Sequence, residues 1–161
     1  MPIGPAQPSE DGPVTTVRRA DGYEISTDPA RLDLDVIHGF LRTAYWSPGV
    51  PRPVVERSIA HSLPFGVYAP GGEQVGFGRA VTDWAAFAYI GDVFVLAGHR
   101  RRGLGIWLVE SMLAHPALHG LRRIHLATAD AHGLYERFGF RVIADPRNRM
   151  DLARTPQELW G

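Results

Sequence analysis

The alternation of apolar and polar residues divides most of the chain into helices and strands. "YEIST" (23–27) has the short alternation of a strand. In "DPARLDLDVIHGFLRTAYW" (28–46), Leu32, Val36, Ile37, Phe40 and Leu41 recur at helical spacing behind aspartates that favour a helix start. "SPGVPRP" interrupts that helix, and "VVERSIAHSL" (54–63) predicts a second. "FGVYAP" (65–70) and "EQVGFGRAVTD" (73–83) read as strands joined at Gly71-Gly72. "FAYIGDVFVLA" (87–97) is nearly continuous in apolar and β-branched residues, the pattern of a central strand buried on both faces. "GLGIWLVESMLAH" (103–115) predicts a helix that stops before Pro116. "RRIHLAT" (122–128) reads as a strand, "DAHGLYERF" (130–138) as a helix closed by Gly139, and "FRVIA" (140–144) as a last strand. Two helices, a run of strands, then alternating strands and helices make a mixed α/β domain with a largely antiparallel sheet. Residues 1–20, rich in proline, glycine and polar side chains, read as a flexible tail before a single domain over 21–161.

Composition narrows the chemistry. A length of 161 residues suits one core, and 45% hydrophobic residues suffice to fill it. The chain has no cysteine, so thiol nucleophiles, thiolate metal sites and disulfides are excluded. No apolar run has the ~20 residues that cross a bilayer, and the N-terminus lacks a secretion pattern, so a soluble cytoplasmic protein is expected, without a membrane partner. The seven histidines show no metal-ligand spacing: His115 and His119 are four apart, but Pro116 breaks the helix that would align them. No metal is expected.

The densest chemistry lies in "HRRRGLGIWLV" (99–109). Clustered arginines suit nucleic acid, whereas glycine ahead of a helix suits a phosphate held by backbone N–H groups. Seventeen basic residues balance seventeen acidic ones, and a phosphate-tracking protein usually carries a basic excess, so nucleic acid is not the expected partner. In the phosphate reading, Gly103 and Gly105 admit a pyrophosphate close to the main chain, the N–H groups of 101–106 hold it, and Arg100, Arg101 and Arg102 add charge. A solvated arginine loop with turn-forming glycines is the plain alternative.

Arg100-x-x-Gly103-x-Gly105 directly after "DVFVLAGH" resembles the coenzyme A pyrophosphate loop of the GNAT N-acetyltransferase superfamily. "LATADAHGLYERFGFRVI" resembles the family's second signature, and "YWSPGVPRPVVERSIAHSLPFGVY" is similar to a bacterial subgroup whose members mostly lack an assigned substrate. The resemblance covers roughly residues 21–153. It departs at Arg101, where glycine is frequent, at Ala97, where proline is frequent, and at Thr128, where many members carry asparagine. The resemblance implies the GNAT acyl-CoA N-acyltransferase fold, a mostly antiparallel twisted sheet flanked by about four helices. It also implies acetyl-CoA as co-substrate and direct transfer of its acetyl group to a primary amine, here expected on a small molecule. A protein amine, or a non-catalytic coenzyme A-binding module, are the alternatives. By the same resemblance, Val93, Phe94 and Val95 align the pantetheine arm, Arg100 to Ile106 (with Leu104) hold the pyrophosphate, and Thr128 offers a hydroxyl to the cofactor. Tyr135 is the candidate acid for the leaving thiolate, since a phenol is protonated at neutral pH. Packing beside Phe138 and Phe140 is its plain alternative.

Asp92 is the candidate base, because an acid inside "AYIGDVFV" needs a partner or a task. An ion pair with Arg79 is the competing reading. Strand alternation puts Asp92 on the side of Ile90 and Phe94, unless a bulge intervenes. The resemblance implies that the two early helices border the substrate, so Tyr45 and Trp46 between them are expected to wall the acceptor pocket, bordered by Arg79 and by His38 on the first helix. A packed or exposed helix residue is the plain alternative for His38. A homodimer is compatible with the sequence, which names neither the acceptor nor the pathway.

Overall fold

The computed structural model describes residues 13–161. Six strands form one sheet in chain order: β1 (Thr16–Arg18), β2 (Glu24–Ser26), β3 (Leu63–Tyr68), β4 (Gln74–Thr82), β5 (Phe87–Val95) and β6 (Arg123–His125). Neighbours are antiparallel except β5 and β6, which run parallel. The α-helices are α1 (Leu34–Leu41), α2 (Arg52–Ala60), α3 (Leu104–Ala114), α4 (His132–Glu136) and a short α5 (Pro156–Trp160). The fold is thus mixed α/β, as expected, with one helix beyond the four anticipated.

Two apolar clusters sandwich the sheet. On one face α3 sets Leu104, Leu108 and Met112 against Ile25, Phe65, Val67, Val75 and Ile90. On the other, Ile37 and Leu41 of α1 and Val55 and Ile59 of α2 meet Phe77 and Phe94. Helix α1 begins where the Asp33 carboxylate accepts from the N–H groups of Asp35 and Val36, which satisfies two of the donors a helix start leaves open. That cap sets the start of α1 inside the periodic run 28–46, and the helix ends at Leu41.

The chain departs from its sequence pattern in several places. Thr16–Arg18, inside the segment whose composition reads as tail, pairs with Glu24–Ser26. The rest of that reading falls largely on residues 1–12, outside the described residues. Residues 140–144 are not a strand, and Val142 stands 75% exposed. Alternation only permits a strand; a paired edge makes one, and none pairs with this segment. Strand β5 is central, but its first half is not buried on both faces: Phe87 and Tyr89 are exposed while Ala88 and Ile90 are buried. The wholly buried strand is β3.

Two irregularities in β5 create the site. First, Phe77 pairs with Phe94 and Arg79 with Gly91, so Gly78 alone faces both Asp92 and Val93. This is a β-bulge, with Asp92 at φ 55°. It shifts the alternation, so that Ile90 packs toward α3 and Phe94 toward α1 and α2. Second, β6 pairs only with Phe87–Tyr89. Beyond Tyr89 the two parallel strands part, and the edge of β5 from Ile90 to Val95 is left without a strand on that side.

Candidate active site

Helix α3 begins at the mouth of this opening. Gly103 precedes it with φ 72°, a left-handed conformation natural to glycine. Among the described residues, the backbone N–H groups of 101–106 have no hydrogen-bond partner. Six successive free donors at a helix start, where the helix dipole adds positive charge, suit an anion. A cavity of about 330 Å³ lies beside them, lined by Val93, Phe94, Val95, Arg100, Arg101, Gly103, Leu104, Gly105, Ile106 and Tyr135, with His99, Ala131 and Leu134. Arg102 is absent from that lining. Arg100 turns back, its Nε donating to the Val95 carbonyl at 3.0 Å.

A second cavity of about 270 Å³ opens on the far side of Tyr135. Tyr45, Trp46, Arg79, Asp92, Thr128 and Asp130 are among the side chains around it. Val93, Ala131 and Tyr135 line both cavities. Tyr45 and Trp46 meet edge to face, 5.0 Å between ring centroids. The Tyr45 hydroxyl accepts from the Ala129 N–H at 3.2 Å, tying this wall to the segment before α4. The Trp46 indole N–H donates to Asp92 Oδ1 at 3.1 Å. Arg79 Nε donates to Asp92 Oδ2 at 2.6 Å, and its Nη1 donates to the Ser62 hydroxyl at 3.0 Å. The bulge therefore delivers Asp92 to the α1–α2 side, with both carboxylate oxygens engaged. The ion pair weighed against a catalytic base is present.

Tyr135 is buried, and its hydroxyl has no hydrogen-bond partner among the described residues. Burial, reinforced by the nearby phenols of Tyr45 and Tyr89, pushes its pKa above the ordinary tyrosine value. The Thr128 hydroxyl accepts from the Ala131 N–H at 3.0 Å and so shapes the turn into α4. His38 is not part of either cavity. Its Nε2 lies 3.0 Å from the Val50 carbonyl oxygen and ties α1 to the following loop; helical spacing placed it on α1 but left its partner undetermined. Sequence reasoning passed over Tyr89 and Asp130, which both line the second cavity. Asp130, just before "AHGLY", was the more findable of the two. No group of three or more His, Cys, Asp or Glu side chains that could hold a metal occurs among the described residues.

Residues 34–140 match the sequence profile of the acetyltransferase (GNAT) family. The chain belongs to that family. This GNAT chain is 31% identical over 135 residues to a Gibberella zeae protein provisionally assigned as an acetyltransferase, covering 70% of this chain and 75% of that one. A crystal structure of a GNAT protein from Xanthomonas campestris pv. campestris, also assigned provisionally, shares 46% identity at a TM-score of 0.80, covering 82% of this chain and 93% of that one. A provisionally assigned acetyltransferase from Deinococcus radiodurans R1 superposes with a TM-score of 0.67 at 26% identity, over 87% and 94% of the two chains. The GNAT chain is therefore an acyltransferase of a family that uses acetyl-CoA as co-substrate. No helix among the described residues is long and apolar enough to cross a membrane.

Proposed function

We propose that this GNAT protein transfers the acetyl group of acetyl-CoA directly to a primary amine of a small molecule. The observation that carries the reading is the junction at Val93, Ala131 and Tyr135, where the cavity beneath the 101–106 loop meets the cavity behind Tyr45 and Trp46. Pyrophosphate rests on the N–H groups of 101–106. The pantetheine arm follows the edge of β5 at Val93–Val95 that no strand covers, where main-chain groups other than the Val95 carbonyl held by Arg100 can bond it as they would a strand. That route carries the thioester toward Tyr135.

The amine enters from the second cavity, whose volume of about 270 Å³ favours a small acceptor. The nitrogen attacks the thioester carbonyl, the new C–N bond forms, and the C–S bond breaks. Tyr135 gives its phenolic proton to the departing sulfur. The nitrogen reacts as the neutral amine, having given its extra proton to water, and Asp92, fixed by Arg79 and Trp46, accepts a hydrogen bond from it and orients it. This is a positioning role rather than the role of base. The proton lost by the nitrogen on acylation leaves through water at the exposed mouth beside Asp130, and the Tyr135 phenolate regains a proton from solvent. A covalent acetyl-cysteine step is ruled out by a sequence without cysteine.

Calorimetry with acetyl-CoA, run beside turnover of a panel of small primary amines and a lysine peptide, tests this reading. The basic residues of the chain are all arginine, so no lysine side chain of the enzyme competes as acceptor. Binding accompanied by small-amine turnover is expected. Transfer only to the peptide would favour a protein acceptor, and binding without any transfer would mark a sensing module.

A further inference from the structure

The loop that presents the free N–H groups holds a conformation that its sequence resists. Arg101 has φ 63° and Gly103 φ 72°. Glycine takes left-handed angles freely, whereas in arginine the Cβ crowds the backbone there. Such a residue persists where its surroundings over-determine it.

Those surroundings come from the distant β1–β2 turn. Arg19 Nη1 donates to the Arg102 carbonyl at 2.9 Å, while its Nε and Nη2 donate to the Asp21 carboxylate at 2.9 and 2.6 Å. The same guanidinium lies over the Trp107 ring of α3, 5.2 Å from the centroid, and over Tyr23 at 5.4 Å. The Tyr23 hydroxyl is 2.8 Å from His99 Nδ1. The turn thus grips the loop at residues 99 and 102, on either side of Arg101.

We propose that Arg19 is a positioning residue for acetyl-CoA, acting by fixing the peptide between Arg102 and Gly103. This rests on reading the 101–106 loop as the pyrophosphate cradle. A trans peptide points its C=O and N–H in opposite directions. Holding the Arg102 oxygen toward the hairpin therefore aims the Gly103 N–H away from it, toward the anion. If that peptide turned over, a carbonyl oxygen would face the phosphate and repel it. The charge of Arg19 is matched by Asp21, so its effect is geometric. The brace also accounts for arginine at 101, where the family often has glycine: the hairpin supplies the rigidity that lets a non-glycine residue stay left-handed.

The test uses the full chain, with acetyl-CoA as probe. Arg19→Ala is expected to raise the calorimetric Kd and the KM for acetyl-CoA on the order of tenfold or more, as for loss of one hydrogen bond from a charged donor. The kcat at saturation and the salt dependence of Kd should stay as in the parent. Arg19→Lys keeps an aliphatic stem over Trp107 but not the planar fork, so it should not restore affinity. It also serves if the alanine variant folds poorly. In an Arg101→Gly background, Arg19→Ala should cost less, because the left-handed angle no longer needs bracing. Parent-like Kd in both Arg19 variants, or a fall in kcat at unchanged KM, would overturn the proposal. Gly103→Val separates the two readings. If it leaves acetyl-CoA affinity intact, the cradle itself is misassigned. If it abolishes binding while the Arg19 variants bind normally, only the role of Arg19 fails.

Discussion

Tyr135 lines both cavities, and burial raises the pKa of its phenol above the ordinary value. At neutral pH the phenol is fully protonated, and the upward shift extends that state further into alkali. Replacing it with phenylalanine keeps the ring and its edge-to-face contact with Phe140, 5.8 Å between centroids. Only the hydroxyl goes, so acetyl-CoA affinity and stability should change little. Single-turnover acetyl transfer should slow on the order of 10²–10⁴-fold, as for loss of a positioned acid. Transfer at the parent rate would make Tyr135 a packing residue. At this scale Tyr135, Asp92 and Arg79 were legible, because a motif or an acid in an apolar strand marks them. Arg19 and Tyr23 were not, since their partners, Arg102 and His99, lie far away in sequence.

Among the elements, β5 decides the site through its bulge and its divergence from β6. The bulge lies against β4, which β5 approaches closely. At Gly76 a Cβ would lie 2.9 Å from the Phe94 carbonyl oxygen and 3.1 Å from Val67 side-chain atoms. The backbone oxygen cannot swing aside as a flexible side chain would. Gly76→Ala should therefore destabilise the fold by about 1–3 kcal/mol through overpacking. The urea midpoint should fall with little change in the slope of the transition. A midpoint equal to the parent's would mean that β4 and β5 adjust without strain. The glycine-then-helix signal of α3 was readable because it is local. The bulge was not, because it is a mismatch in count between two strands and is defined only once they pair.

For the whole molecule, buried phenols set an alkaline limit. Tyr68 is buried in β3, its hydroxyl lacks a partner among the described residues, and burial pushes its pKa up to about 12. In the unfolded chain the same phenol ionises near pH ~10. Below that pH its contribution to stability is fully present. As pH rises toward 12 the unfolded state releases the proton first, and stability declines. Tyr135 is shifted in the same direction. Urea midpoints should thus fall more steeply in the parent between pH ~10 and 12 than in Tyr68→Phe. Equal slopes would show that Tyr68 ionises freely in the folded protein. At neutral pH, Tyr68→Phe should be close to neutral or stabilising, because it removes a buried hydroxyl without a partner.

The sequence by itself determined the helices α1 to α4, the antiparallel run β2 to β5, the glycine-marked start of α3 and the aromatic pair Tyr45 and Trp46 between α1 and α2. These follow from local periodicity, from glycine's backbone freedom and from residue chemistry, all carried by neighbouring positions. Only the tertiary structure decided which side of β5 receives Asp92, that the carboxylate is shared between Arg79 and Trp46, and that His38 turns to a backbone carbonyl. It also decided that 140–144 stays unpaired while 16–18 joins the sheet. Each of these is settled by a partner from another element, through strand pairing, an ion pair or a hydrogen bond across the fold. Such a partner leaves no trace in the spacing of the segment it completes.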